Sequence, residues 1–92
     1  SSKEALDWGL INSVVADDSV NDEAEKLARK LANGPTKAYA GVKNMLRQTF
    51  SNGLETQMEE ESQIFAKQLQ GKDGIEGIKA FTEKRKPDFK GE

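Results

Sequence analysis

Apolar residues recur along this chain at helical spacing, in blocks punctuated by glycine. Ser1 with Glu4 matches a capping box, and Ala5, Leu6 and Trp8 follow before Gly9 stops the turn. Leu10, Ile11, Val14 and Val15 are too closely spaced and too β-branched for a helix. They predict a short extended passage, either a buried connector or a minor edge strand. Asp17-Asp18-Ser19 opens a second helix with Val20, Ala24, Leu27, Ala28 and Leu31 on one face, ended by Asn33-Gly34-Pro35. Its acids stand early and its bases late, as the helix dipole favours. A third helix is predicted from Pro35 or Thr36 to Asn52, with Tyr39, Val42, Met45, Leu46, Thr49 and Phe50 facing inward. A fourth carries Leu54, Met58, Glu61, Phe65 and Leu69 on one stripe. After Gly71, Asp73 with Glu76 resembles a second capping pattern, opening a fifth, shorter helix bearing Ile75, Ile78, Ala80 and Phe81. Pro87 ends the helical run and leaves Asp88–Glu92 as a tail anchored by Phe89.

The fold class is therefore all-α, about four to five short helices with short connections, so neighbours should pack antiparallel. Residues 1–92 make a single domain, with no repeat, low-complexity segment or flexible linker. A domain of this length buries only about 60 to 65% of the surface its unfolded chain exposes. It needs efficient helix packing or a partner.

Composition narrows the chemistry. Neither Cys nor His occurs, which excludes disulfides, thiolate nucleophiles, His-based acid/base pairs and Ser-His-Asp triads. The net charge of -2 is not that of a nucleic-acid binder. With 33% charged residues and 35% hydrophobic ones, no stretch suits a membrane span, and Ser1-Ser2-Lys3-Glu4 lacks the long apolar core of a signal peptide.

The remaining candidates are few. Lys26, Arg29, Lys30, Lys37, Lys43 and Arg47 form a basic block that reads as solvated helix faces, with phosphate contact as the alternative. Glu59-Glu60-Glu61 lie about 100° apart in turn on a helix and cannot converge on one substrate. Glu61 differs, because it shares the apolar stripe: a buried or partner-paired carboxylate is expected there, which an N-terminal basic partner would satisfy. Gly71, Gly74 and Gly77 lack the Lys-Ser/Thr of a phosphate loop and suit caps and close packing. The last helix ends in Phe81 and Lys84-Arg85-Lys86. Cations are favoured there by the helix dipole, while an aromatic beside a lysine also suits a nucleotide.

Glu76-Gly77-Ile78-Lys79-Ala80-Phe81-Thr82-Glu83-Lys84-Arg85-Lys86-Pro87, with Phe89 and Gly91, resembles the C-terminal signature of the crotonase superfamily, the enoyl-CoA hydratases and isomerases. Ser2-Lys3-Glu4-Ala5 and Trp8 to Val15 are similar to the segment that follows the family's catalytic region. Ala24, Leu27-Ala28, Leu31-Ala32, Pro35 and Lys43 continue the pattern, so the resemblance runs in order along nearly the whole chain.

The resemblance implies the C-terminal helical part of a crotonase-type α/β fold, in an enzyme whose core precedes Ser1. The family's oxyanion-hole amides and acid/base glutamates then lie in that core, so no residue here is assigned a catalytic role or a metal. The implied parent reaction is hydration of a 2-enoyl-CoA in acyl-CoA or fatty-acid metabolism, with double-bond isomerisation as the runner-up. Two backbone donors stabilise the thioester enolate while carboxylates move protons. The implied partners are the crotonase core, neighbouring subunits in a trimer or hexamer, and acyl-CoA, which is a substrate and not a cofactor. By position, Phe81 would border the adenine or acyl region and Lys84 would meet a phosphate or the adenine. The bacterial cytoplasm is the expected compartment, with the mitochondrial matrix or peroxisome as eukaryotic counterparts. The reading from another class is an autonomous helical module that binds acyl-CoA or a protein. For the chain alone, the family reading predicts exposed apolar surface at Leu10–Val15 and along Tyr39–Phe50, hence marginal stability and self-association.

Overall fold

A computed structural model describes all 92 residues. Helix α1 spans Ser2–Asp7, a 3-10 turn at Asp17–Ser19 leads into α2 (Val20–Ala32), and α3 (Thr36–Gln48), α4 (Leu54–Gln70) and α5 (Lys72–Thr82) follow. The all-helical expectation stands. The Ser1–Glu4 capping box forms: Ser1 Oγ accepts from the Glu4 amide at 3.2 Å.

Leu10–Val15 forms neither a strand nor a buried connector. The passage is irregular, and each of its residues is exposed. A lone extended segment has no ladder partner in an otherwise helical chain, so its β-branched residues have nothing to pair with.

Helix α3 stops four residues earlier than its periodicity predicts. The Thr49 hydroxyl donates to the Met45 carbonyl at 3.0 Å, and the Ser51 hydroxyl donates to that of Gln48 at 3.0 Å. Short polar side chains thus satisfy the helix end and compete with continuation. Thr49 and Phe50, expected on the inner face, lie at this end, and Phe50 is 98% exposed. Across the turn, the Gln57 amide donates to the Met45 carbonyl at 3.3 Å, and Asn52 donates to Gln57 (3.1 Å) and Glu60 (2.9 Å). These bonds fold α4 back antiparallel to α3. Further along the pair, a Cβ added at Gly41 would stand 3.0 Å from Ile64, so Gly41 permits the close approach.

Helices α3, α4 and α5 pack in sequence, whereas α2 makes its main contact with the 3-10 turn before it. The helix is lined on its polar side by Lys26–Glu23 (2.5 Å) and Arg29–Glu25 pairs, while Leu27 and Leu31 on its apolar stripe remain exposed. Ala80 is the one buried apolar residue, at 1% exposure.

The whole chain exposes 7898 Å². A compact protein of this mass exposes about 5,300 Å², roughly a third less. The radius of gyration is 17.0 Å, against about 12 Å for a compact chain of this length. The helices form a layer measuring 42 × 38 × 19 Å. An open groove of about 840 Å³ crosses it, lined by Val42, Met45, Met58, Phe65, Ile78 and Phe89 among others. The predicted exposure of apolar surface is present, and it extends well beyond the two segments named.

Candidate functional site

The end of α5 is built by a complete Schellman motif. Lys84 N–H donates to the Phe81 carbonyl at 3.2 Å, and Arg85 N–H donates to that of Ala80 at 3.0 Å. This motif places its first residue beyond the cap in the left-handed region, where glycine is the usual occupant. Here that residue is Lys84, with φ of 54°, the single non-glycine of the chain with positive φ. At the end of α1 the same pair of bonds forms, from Gly9 to Leu6 and from Leu10 to Ala5, with Gly9 at φ 72°. Two helices thus end alike, one on a glycine and one on a lysine.

The motif ties Phe81 and Lys84 backbone to backbone. Both side chains are exposed, Phe81 at 87%. The helix ends here through its own hydrogen bonds, before Pro87 can act.

From Pro87 the chain turns back along α5. The two carboxylates that resembled a capping pattern, Asp73 and Glu76, do not cap the helix. Its N-cap is Gly71, with no side-chain bond. Instead both carboxylates hold the returning tail. Asp73 is 7% exposed and accepts from the backbone N–H groups of Lys90 (2.7 Å) and Gly91 (2.8 Å), while its own N–H donates to the Glu92 carbonyl at 3.0 Å. Glu76 accepts a two-pronged pair from Arg85 (2.6 and 2.9 Å) and a third bond from the Asp88 N–H at 2.9 Å. Lys72 pairs with Glu92, closing the far end.

The tail needs close approach to reach these groups. The Phe89 ring lies against Gly77, where a Cβ would meet it at 3.5 Å, so the expected anchoring role of Phe89 holds. Gly91 takes a left-handed φ of 73° beside Thr36, at the start of α3. Gly74 backs onto Gln68 and Leu69 of α4, leaving no room for a side chain. The close-packing reading of these glycines is realised, and no phosphate loop forms.

The charge distribution around Lys84 is uneven. Arg85 donates to Glu83 through Nε at 2.6 Å as well as to Glu76, and Asp88 pairs with Lys90 at 2.8 Å. Every carboxylate between positions 76 and 88 is thereby engaged, while Lys79, Lys84 and Lys86 make no ion pair. Hydrogen bonds from Arg85 and then from the Asp88 N–H hold the Glu76 carboxyl down at about 2, well below the usual carboxylate range.

The glutamates at 59 to 61 diverge, as their helical spacing requires. Glu59 accepts from Gln63 at 2.8 Å, Glu60 from Asn52, and Glu61 lies exposed at the groove with no basic partner in this chain. No group of acidic side chains is arranged to hold a metal ion, and no helix is long and apolar enough to cross a membrane. The clasp made by Asp73, Glu76 and Arg85 is what sequence reasoning missed. Its partners lie nine to eighteen residues apart, and local pattern carries no signal for that separation.

Comparison with known proteins accounts for the whole chain. The family model for enoyl-CoA hydratase/isomerase matches residues 1–92. The chain is 36% identical over 91 residues to 1,2-epoxyphenylacetyl-CoA isomerase of Escherichia coli, covering 99% of this chain and 35% of that protein. It is 34% identical over 95 residues to carnitinyl-CoA dehydratase of Proteus mirabilis, covering 99% and 36%. Among solved structures, an enoyl-CoA hydratase from a Polaromonas species superposes with a TM-score of 0.90 at 32% identity, covering 98% of this chain and 35% of that one. Another from Bacillus anthracis gives 0.85 at 33% identity, covering 100% and 36%. The chain spans about a third of the length of the relatives it matches. A match over every residue, in sequence and in the arrangement of the helices, means that this chain belongs to the enoyl-CoA hydratase/isomerase family.

Proposed function

We propose that residues 1–92 serve as the C-terminal helical domain of a CoA-thioester enzyme, where they cover the catalytic core, join subunits and present Phe81 and Lys84 to CoA. The observation that carries this reading is the surface: about half as much again as a compact chain of this mass would expose, much of it apolar side chain. A layer 19 Å thick with one buried apolar residue is shaped to lie on something else. The excess area falls in the range of a stable interface. In this reading the crotonase core and neighbouring subunits are the partners that cover it, and the size of the exposed area supports a partner of that kind.

The site assignment rests on chemistry at the end of α5. Lys84 is an unpaired ammonium on a fixed turn, suited to a phosphate, and Phe81 is an exposed aromatic suited to stacking on a purine or lining an acyl chain. The parent reaction we favour is hydration of a 2-enoyl-CoA, within acyl-CoA or fatty-acid metabolism and in the bacterial cytoplasm. Relatives of similar identity are called an isomerase and a dehydratase, so this region supports the family chemistry and not one reaction.

Lys84→Ala in the full-length enzyme tests the assignment. It should raise KM for a CoA thioester about tenfold, the value of one charge-assisted contact. KM for the matching pantetheine thioester, which lacks the nucleotide, should not move. Equal KM values for wild type and variant with the CoA thioester would remove Lys84 from the site.

A further inference from the structure

Three consecutive bases follow Glu83, and the structure treats them differently. Arg85 takes both nearby carboxylates: Glu76 through its two terminal nitrogens and Glu83 through Nε. Lys84 takes neither, although Glu83 is its neighbour in sequence. The planar guanidinium makes this division possible, because its donors address two carboxylates at once in fixed directions. An ammonium offers no such fork.

Backbone geometry points the same way. Lys84 occupies a left-handed position that disfavours a side chain and suits glycine, yet a long cationic side chain stands there. Strain of this kind persists where the surroundings over-determine it. Here the next residue, Arg85, is fixed by Glu76, and the tail beyond is fixed by Asp88 N–H on Glu76 and by Asp73.

We infer that Arg85 is a positioning residue for Lys84: by holding Glu76 and Glu83 it keeps carboxylates off the Lys84 ammonium, so that the ammonium remains free for an anionic ligand. The inference rests on the proposed contact between Lys84 and CoA, and it adds a reason why that contact is available. In Arg85→Met, Glu83 loses its partner and becomes free to pair with Lys84. The anion then competes with an internal carboxylate.

The test uses the full-length enzyme and four variants, Lys84→Ala, Arg85→Met, Glu83→Gln and the double variant Arg85→Met/Glu83→Gln. Arg85→Met should raise KM for a CoA thioester several-fold, leave KM for the pantetheine thioester in place, and show Glu83 within about 4 Å of Lys84 in its crystal structure. The double variant has lost the same arginine and also the carboxylate next to Lys84, while Glu76 keeps its bond from the Asp88 N–H, so its KM should return towards wild type. A purely structural arginine predicts the opposite, a double variant as impaired as Arg85→Met or more so. That result overturns the inference, as does an Arg85→Met crystal structure with Glu83 still apart from Lys84. A silent Lys84→Ala would instead strike the CoA assignment, while the crystallographic position of Glu83 would still decide whether Arg85 keeps it away.

Discussion

The two ends of this chain treat their surfaces in opposite ways. At the N-terminal end, α1, the irregular passage and α2 carry Trp8, Leu10, Leu27 and Leu31, all exposed and with little packed against them. At the C-terminal end, α5 and the tail close on each other through Asp73, Glu76 and Arg85, with Phe89 laid on Gly77. The first region is rich in apolar side chains and makes little tertiary structure. The second is rich in charge and makes the best-defined contacts in the molecule. Apolar surface needs matching area, which this chain does not supply to α1 and α2. A carboxylate needs only two or three well-placed donors, and a returning tail brings them.

The sharpest break of that contrast is at Asp73. Asp73→Asn replaces one acceptor oxygen with a donor facing a backbone N–H, in a group already buried. It should cost about 2 to 3 kcal/mol, and faster hydrogen exchange at the Lys90 and Gly91 amides would report the released tail. Protection unchanged at those amides would mean that Asp73 does not hold them.

Acid should open the same end of the molecule. The Glu76 carboxyl titrates at about 2 when folded, below its unfolded value. Its stabilising contribution is therefore complete above about pH 4.5 and lost as pH falls towards 2. Glu76→Gln should be less stable than wild type near neutrality and the two should converge in acid, as read from urea midpoints across that range.

A smaller effect separates the two like-built helix ends. Gly9→Ala keeps open space around the new Cβ but forces it into φ 72°, and should fray α1 by about 1 kcal/mol. Lys84→Gly relieves the same strain and should leave thermal stability equal or raise it by up to about 1 kcal/mol. Amide protection at Leu10 and Arg85 distinguishes the two.

The smallest effect belongs to the open surface. Phe50→Ala removes an aromatic that touches little, and within this chain it should change stability by less than about 0.5 kcal/mol. A large loss in the full-length enzyme, measured by the same melt, would show that assembly covers this ring.

Much of the fold was legible in residues a few positions apart. The Ser1–Glu4 box, the amphipathic face of α2 and the glycines bounding the helices all act within a turn or two, where sequence spacing maps directly onto distance. The end of α3 was misjudged because Thr49 and Phe50 fit a helical stripe, while Thr49 and Ser51 bond back onto carbonyls and stop it. Phe81 and Lys84 were singled out from sequence, but their surroundings were not. Asp73 and Glu76 matched a local capping pattern, and that match hid their long-range work.

Sequence by itself determined the helical class, the order of helices and the family to which they belong, because periodicity, caps and an ordered motif are properties of neighbours along the chain. Tertiary structure alone decided that Lys84 sits left-handed and unpaired, that Arg85 takes both carboxylates, and that the tail returns to Asp73. The bonds to Asp73 and Glu76 join groups nine to eighteen residues apart, and no local pattern records which of the nearby bases those carboxylates take and which is left over.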